Sequence, residues 1–253
     1  MDVRLKDKVA IVTGGGRGIG AAFCEVLASA GAKVVVGDVL DGSATVARIE
    51  AGQGRALFCH SDVTSKASVE SLVSKTLEAF GTVDILVNNA ALFADLGKRP
   101  FQEIPSEEWD RVMAVNVRGP FECTRAVVPA MIEKKAGKIV NIASGTVFKG
   151  FVNMMHYVTS KGAVVAMTRC LARELGPHNI CVNAIAPGLT MSEAVAVNPE
   201  WTGAANAGTI ASRALRRDQV PADLLGTLIY LCSNDSNFVT GQTIAVDGGS
   251  VMR

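Results

Sequence analysis

Seven short apolar runs punctuate the chain: KVAIVTG (8–14), KVVVGD (33–38), ALFCHSDV (56–63), DILVNNA (84–90), KIVNIAS (138–144), ICVNAIAP (180–187) and TIAVDGG (243–249). Each is continuous rather than alternating in polarity, as expected of strands covered on both faces. Between them lie amphipathic stretches with helical periodicity at 18–30, 43–51, 66–80, 106–135, 156–175 and 221–232. A strand followed by a helix, repeated, dictates right-handed crossovers and a parallel sheet. No solenoid repeat, low-complexity tract or Pro/Ser linker breaks the rhythm, so the expectation is an α/β fold, doubly wound, with 1–253 forming a single domain. Two stretches carry warnings. Asn116 and the Gly119-Pro120 pair should kink or interrupt the helix over 106–135, because proline lacks the donor and clashes with the preceding turn. The segment 189–215, with Pro199, Trp201 and several small residues, has weak periodicity and is expected to be a substrate loop.

Charge excludes several partners. With 25 Lys+Arg against 24 Asp+Glu, nothing favours nucleic acid or an acidic membrane surface. The apolar run near the N-terminus is far too short for a signal peptide core or a membrane span. Cys24, Cys59, Cys123, Cys170, Cys181 and Cys232 are scattered, with no Cys-x-x-Cys and no metal-finger spacing, which points to small buried hydrophobes in a reducing compartment. A cytoplasmic protein without a metal site is expected. His156 is expected to be a packing or rim residue rather than a base.

The first chemical signal is TGGGRGIG (13–20), directly after the first strand and opening the first helix. Glycines let the backbone approach a pyrophosphate, and the helix N-terminus supplies free N–H groups and partial positive charge. Gly14, Arg17, Gly18, Ile19 and Gly20 are therefore assigned to a dinucleotide. Asp38, about twenty residues on at the end of the second strand, can accept from both ribose hydroxyls and would repel a 2'-phosphate, which favours NAD(H) over NADP(H). Arg17 argues the other way, since a guanidinium there can contact such a phosphate. Asp62 and Val63, closing the third run, suit the adenine amino group and a ring nitrogen, although Asp62 also suits a helix cap. Asn89 closes the fourth run, Ser144 the fifth, and Pro187 with Gly188 the sixth. Ligands of open parallel sheets bind outside these carboxyl ends.

A lone Tyr-x-x-x-Lys is a common helix coincidence, but Tyr157 and Lys161 follow Ser144 within this ordered set. TGGGRGIG, DILVNNA, NIAS, YVTSK, NAIAPG and FVTGQTIAVDGG together resemble the short-chain dehydrogenase/reductase family nearly end to end. The resemblance implies a Rossmann-like sheet of seven parallel strands. It also implies a catalytic triad of Ser144, Tyr157 and Lys161, with Asn116 completing a tetrad through an ordered water, and a homotetramer built through the long helices and the C-terminal strand. Tyr157 and Lys161 would also touch the cofactor, and Thr190 or Ser192 would bind its carboxamide. Ala91 replaces the family's usual glycine after NNA, which would narrow the cleft floor.

The implied chemistry has a size. A tyrosine of pKa about 10 becomes a base at pH 7 only if the phenolate gains roughly 3 to 4 kcal/mol. One ammonium at ~4 Å supplies about 1 kcal/mol in water but ~4 at an effective dielectric of about 20, so Lys161 can do this only inside a cleft. Ser144 would orient the substrate oxygen, and in reduction Tyr157 would act as the general acid. Phe93, Phe148, Phe151, Met154, Met155 and Trp201 offer an apolar pocket for a small cyclic or aromatic secondary alcohol or ketone. The expected activity is hydride transfer between NAD(H) and such a substrate. An NADPH-dependent 3-oxoacyl-thioester reductase, which Arg17 and the family resemblance allow, is the alternative, with no evident basic cluster for a phosphopantetheine or CoA tail beyond Lys98, Arg99 and Lys149; a dinucleotide-binding module without catalysis is a further one.

Overall fold

Valine, isoleucine and leucine fill the apolar runs, and in the computed structural model, which describes residues 4–252 apart from the side chains of 204 and 205, these runs pair into one sheet. The strands are β1 (Val9–Thr13), β2 (Lys33–Asp38), β3 (Arg55–His60), β4 (Ile85–Asn88), β5 (Gly137–Ile142), β6 (Ile180–Pro187) and β7 (Thr243–Val246). All pairings are parallel, in the order β3-β2-β1-β4-β5-β6-β7. This is the expected seven-stranded, doubly wound α/β fold of Rossmann type, in one domain. The winding reverses between β1 and β4, which opens a crevice at their carboxyl ends.

Successive strand residues face opposite layers. Val12, Val36, Ile85 and Val87 meet Phe23 and Leu27 of α1 (Gly18–Ser29) and Leu224 and Leu228 of α10 (Ala222–Cys232). Ile11, Val35, Leu86 and Ile139 meet the other layer. There Leu72 and Val73 come from α3 (Lys66–Phe80), Val127 and Met131 from α5 (Gly119–Glu133), and Ala172 and Leu175 from α7 (Met155–Leu175). The remaining helices are α2 (Ser43–Ala51), α4 (Ser106–Met113), α6 (Thr146–Lys149), α8 (Glu193–Ala196) and α9 (Gly203–Ala211).

The long stretch 106–135 is interrupted as expected. A wide π turn over Ala114–Arg118 separates α4 from α5, and Pro120 falls in the first turn of α5, where its missing N–H costs nothing. The segment 189–215 is more ordered than a loop: it holds α8, a 3-10 turn at Pro199–Trp201, α9 and a parallel bridge from Thr190 to Gln219. Several strands stop short of the ends of their apolar runs, and after β3 and β4 side chains capture the next backbone groups. Asp62 accepts from Thr64 N–H at 2.8 Å, and Thr13 Oγ1 accepts from Asn89 and Ala90 N–H at 3.1 Å each. After Val246, Gly248 and Gly249 turn at φ 70° and 78°.

A polar chain crosses the sheet under the site. Asn88 Nδ2 donates to Asn141 Oδ1 at 2.8 Å and to Thr124 Oγ1 at 3.2 Å, while Asn141 Nδ2 donates to Thr168 Oγ1 at 2.9 Å. These contacts tie β4 to β5, α5 and α7. Asn141→Ala removes two of them from a fully buried position and should cost about 2 to 4 kcal/mol of unfolding free energy, measured by urea denaturation.

Candidate active site

The turn after β1 is shaped by glycines that tolerate no side chain. Gly14 sits at φ 64°, and a Cβ there would lie 2.8 Å from Ala90 Cα. At Gly20 a Cβ would lie 1.9 Å from the Gly14 carbonyl oxygen, so helix α1 can pack against the turn only through a bare backbone. No side chain caps the start of α1, which leaves its first N–H groups for a ligand. Asn89 fastens the turn: its Nδ2 donates to the carbonyls of Thr13 and Gly14, both at 2.9 Å. A pyrophosphate fits this cradle, which has close backbone approach, unfilled donors and no carboxylate in the turn itself.

A cleft of about 380 Å³ extends from the turn over the ends of β2, β3 and β4. Gly14, Arg17, Gly18, Ile19, Gly20, Asp38, Asp62, Val63, Asn89 and Ser192 all line it. Asp38 is buried, and its carboxylate accepts from Gly16 N–H at 2.8 Å and Leu40 N–H at 3.0 Å. Those contacts hold the charge at the point where the turn meets β2. Arg17 is exposed at the rim. Asp62 takes both roles weighed for it: it lines the cleft, and its Oδ1 accepts from the backbone and hydroxyl of Thr64. Val39, Leu40 and Ser61 also line this cleft, and nothing in their residue types singles them out.

A second cleft of about 360 Å³ continues from the first, with Ile19, Asn89, Ala91, Phe93, Ser192 and Val195 common to both. Ser144, Tyr157, Lys161, Pro187, Gly188 and Thr190 line it. Ser144 follows β5, where Thr146 donates to its Oγ from its N–H at 3.2 Å and from its hydroxyl at 2.9 Å. Tyr157 and Lys161 lie one turn apart on α7, both buried, with Lys161 Nζ 5.9 Å from the phenol ring centre. Thr190 spends its hydroxyl on the Gly188 carbonyl at 3.1 Å. Asn116 lines neither cleft; its amide donates to Leu92 O at 3.2 Å and Ser160 Oγ at 3.1 Å and accepts from Leu92 N–H at 2.8 Å. It thereby pins the segment after β4 to the back of α7.

Burial pushes the Tyr157 phenol up to about 12, outweighing a hydrogen bond with Ser144 that pulls the other way. The Lys161 ammonium beside it donates to the Ile142 carbonyl at 2.7 Å. Burial also brings Lys161 down to about 8. In this cleft the phenol is thus a proton donor at neutral pH, with a cation stored beside it.

Three of the six apolar side chains proposed for the pocket line it: Phe93, Phe151 and Trp201. The Phe93 ring centre lies 4.9 Å from that of Tyr157 and 4.7 Å from that of Trp201, both pairs tilted. Met154 packs beneath them, Phe148 packs on the Val164 cluster, and Met155 is exposed. His156 is fully buried with Nε2 3.1 Å from Glu108 Oε1, which makes it a packing residue behind Tyr157. Thr13, Ser160 and the Ile142 carbonyl were not legible as site groups; their roles exist only through contacts distant in sequence.

A family model described as short chain dehydrogenase matches residues 8–203. The chain is 37% identical to trans-4-hydroxycyclohexanecarboxylate dehydrogenase of Sinomonas cyclohexanicum, over 97% of this chain and 93% of that protein. It is 35% identical to a 3-oxoacyl-acyl-carrier-protein reductase of Thermotoga maritima, over 99% of this chain and 100% of that protein. The crystal structure of levodione reductase superposes with a TM-score of 0.91 at 31% identity, covering 96% of this chain and 97% of that one.

The depressed Lys161 has a stability consequence. The folded protein holds a costly charge below about pH 8 and sheds that cost as pH rises toward the unfolded value of 10.5. Lys161→Met should raise unfolding free energy at pH 7 by about 2 to 3 kcal/mol. The difference between the two proteins should shrink from about pH 8 upward in denaturation series.

Proposed function

The chain belongs to the short-chain dehydrogenase/reductase family, an oxidoreductase of alcohols and ketones with a nicotinamide dinucleotide, and from that premise we propose that it uses NAD(H) on a small cyclic or aromatic secondary alcohol or its ketone. The observation that carries this reading is the continuity of the glycine cradle with a cleft holding Ser144, Tyr157 and Lys161. When bound, the nicotinamide ring supplies the hydride acceptor or donor and, oxidised, a positive charge. Ser144 and Tyr157 hold the substrate oxygen between two hydroxyls. In reduction Tyr157 gives its proton to the developing alkoxide, and a phenol held near 12 by burial is protonated and ready to do so. In oxidation the phenol must first lose that proton, and Lys161 together with the oxidised ring provides the positive field that permits it. Asn116 supports this group from behind by fixing Leu92 and Ser160 and, through an ordered water, would connect Lys161 to solvent. Between the two hydroxyls considered for the carboxamide, Ser192 is the better candidate because it lines both clefts, whereas Thr190 is committed to Gly188.

NAD(H) is favoured by the buried carboxylate of Asp38 at the end of β2. A 2'-phosphate would meet that charge at short range, whereas exposed Arg17 can swing to solvent. The rival, an NADPH-dependent reductase of 3-oxoacyl thioesters, draws on Arg17 and on the Thermotoga relative. We further propose a cytoplasmic homotetramer. The cysteines among the described residues are all free, and β7, at the outer edge of the sheet, is half-exposed beside fully exposed Phe238.

Absorbance assays with secondary alcohols and both oxidised dinucleotides should give higher kcat/KM with NAD, and Asp38→Ser should reduce that preference by about 10- to 100-fold, as loss of one charge repulsion of a few kcal/mol implies. A native preference for NADPH with acyl thioesters would reverse the assignment. Tyr157→Phe should lower kcat by about 10²- to 10⁴-fold while dinucleotide binding, followed by fluorescence, persists; undiminished turnover would point to a binding module.

A further inference from the structure

We propose that the substrate carries its own carboxylate and that Lys98 and the indole Nε1–H of Trp201 form the subsite that receives it. This rests on the oxidoreductase reading above and names the substrate class of the same cleft. The lining of the second cleft includes three lysines, Lys98, Lys149 and Lys161, and no aspartate or glutamate. Lys161 is held by the Ile142 carbonyl, and Lys149, itself exposed, is bonded to the Ser250 hydroxyl. Lys98 stands at the far end of an aromatic ladder that begins at the reacting phenol. The ring centres of Tyr157 and Phe93 are 4.9 Å apart, those of Phe93 and Trp201 are 4.7 Å apart, and Lys98 Nζ lies 3.8 Å from the Trp201 ring centre.

Two donors at this end have capacity to spare. Trp201 is only 4% exposed, and its Nε1–H has no acceptor among the described residues. A buried indole N–H without a partner is costly, and a bound carboxylate would satisfy it. Lys98 Nζ donates to the Glu200 carbonyl at 2.5 Å, and an ammonium has three donors. The Glu200 carboxylate accepts from the Lys98 backbone N–H at 3.2 Å but does not line the cleft, so the ammonium is not neutralised within it. These spacings keep Lys98 Nζ within about 13 Å of the Tyr157 ring centre, so the anion must lie a short span from the carbinol. A carboxylate on a small ring meets that spacing, whereas the phosphate of an acyl-thioester tail is separated from its ketone by a long chain.

The test compares kcat/KM for reduction of 4-oxocyclohexanecarboxylate, its carboxamide, cyclohexanone and acetoacetyl-coenzyme A, with each reduced dinucleotide. The wild type should prefer the carboxylate over the carboxamide by about tenfold or more, chiefly through KM, with the preference falling as salt rises. Lys98→Gln should bring the ratio toward one, Lys98→Arg should keep most of it, and Trp201→Phe, which keeps a ring but removes the N–H, should lower it. Lys66→Gln, a surface residue paired with Glu70, should leave the ratio intact. Equal use of carboxylate and carboxamide, or a Lys98→Gln loss shared equally by both, would overturn the subsite while leaving the oxidoreductase reading standing. Acetoacetyl-coenzyme A outrunning every ring ketone would also overturn it. Failure to reduce any ketone with either dinucleotide would remove both.

Discussion

Where β1 and β4 part, the sheet's two halves are held together by the hydroxyl of Thr13 and the amide of Asn89. Thr13 Oγ1 donates to the Val87 carbonyl at 3.3 Å and accepts from two successive N–H groups beyond β4, while Asn89 reaches back to the two successive carbonyls of Thr13 and Gly14 where the glycine turn begins. A crevice at a switch point is otherwise a gap with unpaired backbone at its edges. These few bonds convert it into a rigid floor. The position of α1, the level of Asp38 and the entrance to the second cleft all refer to that floor, because Gly20 packs directly on the Gly14 carbonyl.

The reactive end depends on a different economy of contacts. Burying a phenol and an ammonium together disfavours the ion in each, so Tyr157 rises and Lys161 falls. The protein tolerates this because a carbonyl on β5 receives the ammonium and because Asn116, at the start of the neighbouring helix in the same layer, bonds Ser160 and so ties α7 in place. Tyr157 and Lys161 are thus held in their less comfortable protonation environment by packing that comes from α4, α5 and the segment after β4. The aromatic ladder from Tyr157 to Trp201 extends the same packing outward along the second cleft.

Much of this was legible in particular residues. The apolar runs located every strand, and the glycine turn and Asp38 both fall on one cleft, because backbone clearance and local charge depend on residues near each other in sequence. The break at 114–118 was foreshadowed by Asn116 and Gly119-Pro120. Elsewhere the residue type was ambiguous. Phe93 and Phe148 read alike, yet one faces the cleft and the other packs on Val164, because that outcome depends on which helix lies opposite. The segment 189–215 lacked periodicity since its short helices gain their order from the Thr190–Gln219 bridge and from contacts such as Asn198 with the Ala94 carbonyl.

What the sequence determined by itself was the fold class, the location of the glycine cradle and the one-turn spacing of Tyr157 and Lys161, since each follows from periodicity or from steric limits within a few residues. Only the tertiary structure decided where the Lys161 ammonium is spent. Its acceptor is a main-chain carbonyl 19 residues away, which every residue type offers equally and which only the docking of α7 on β5 brings within reach.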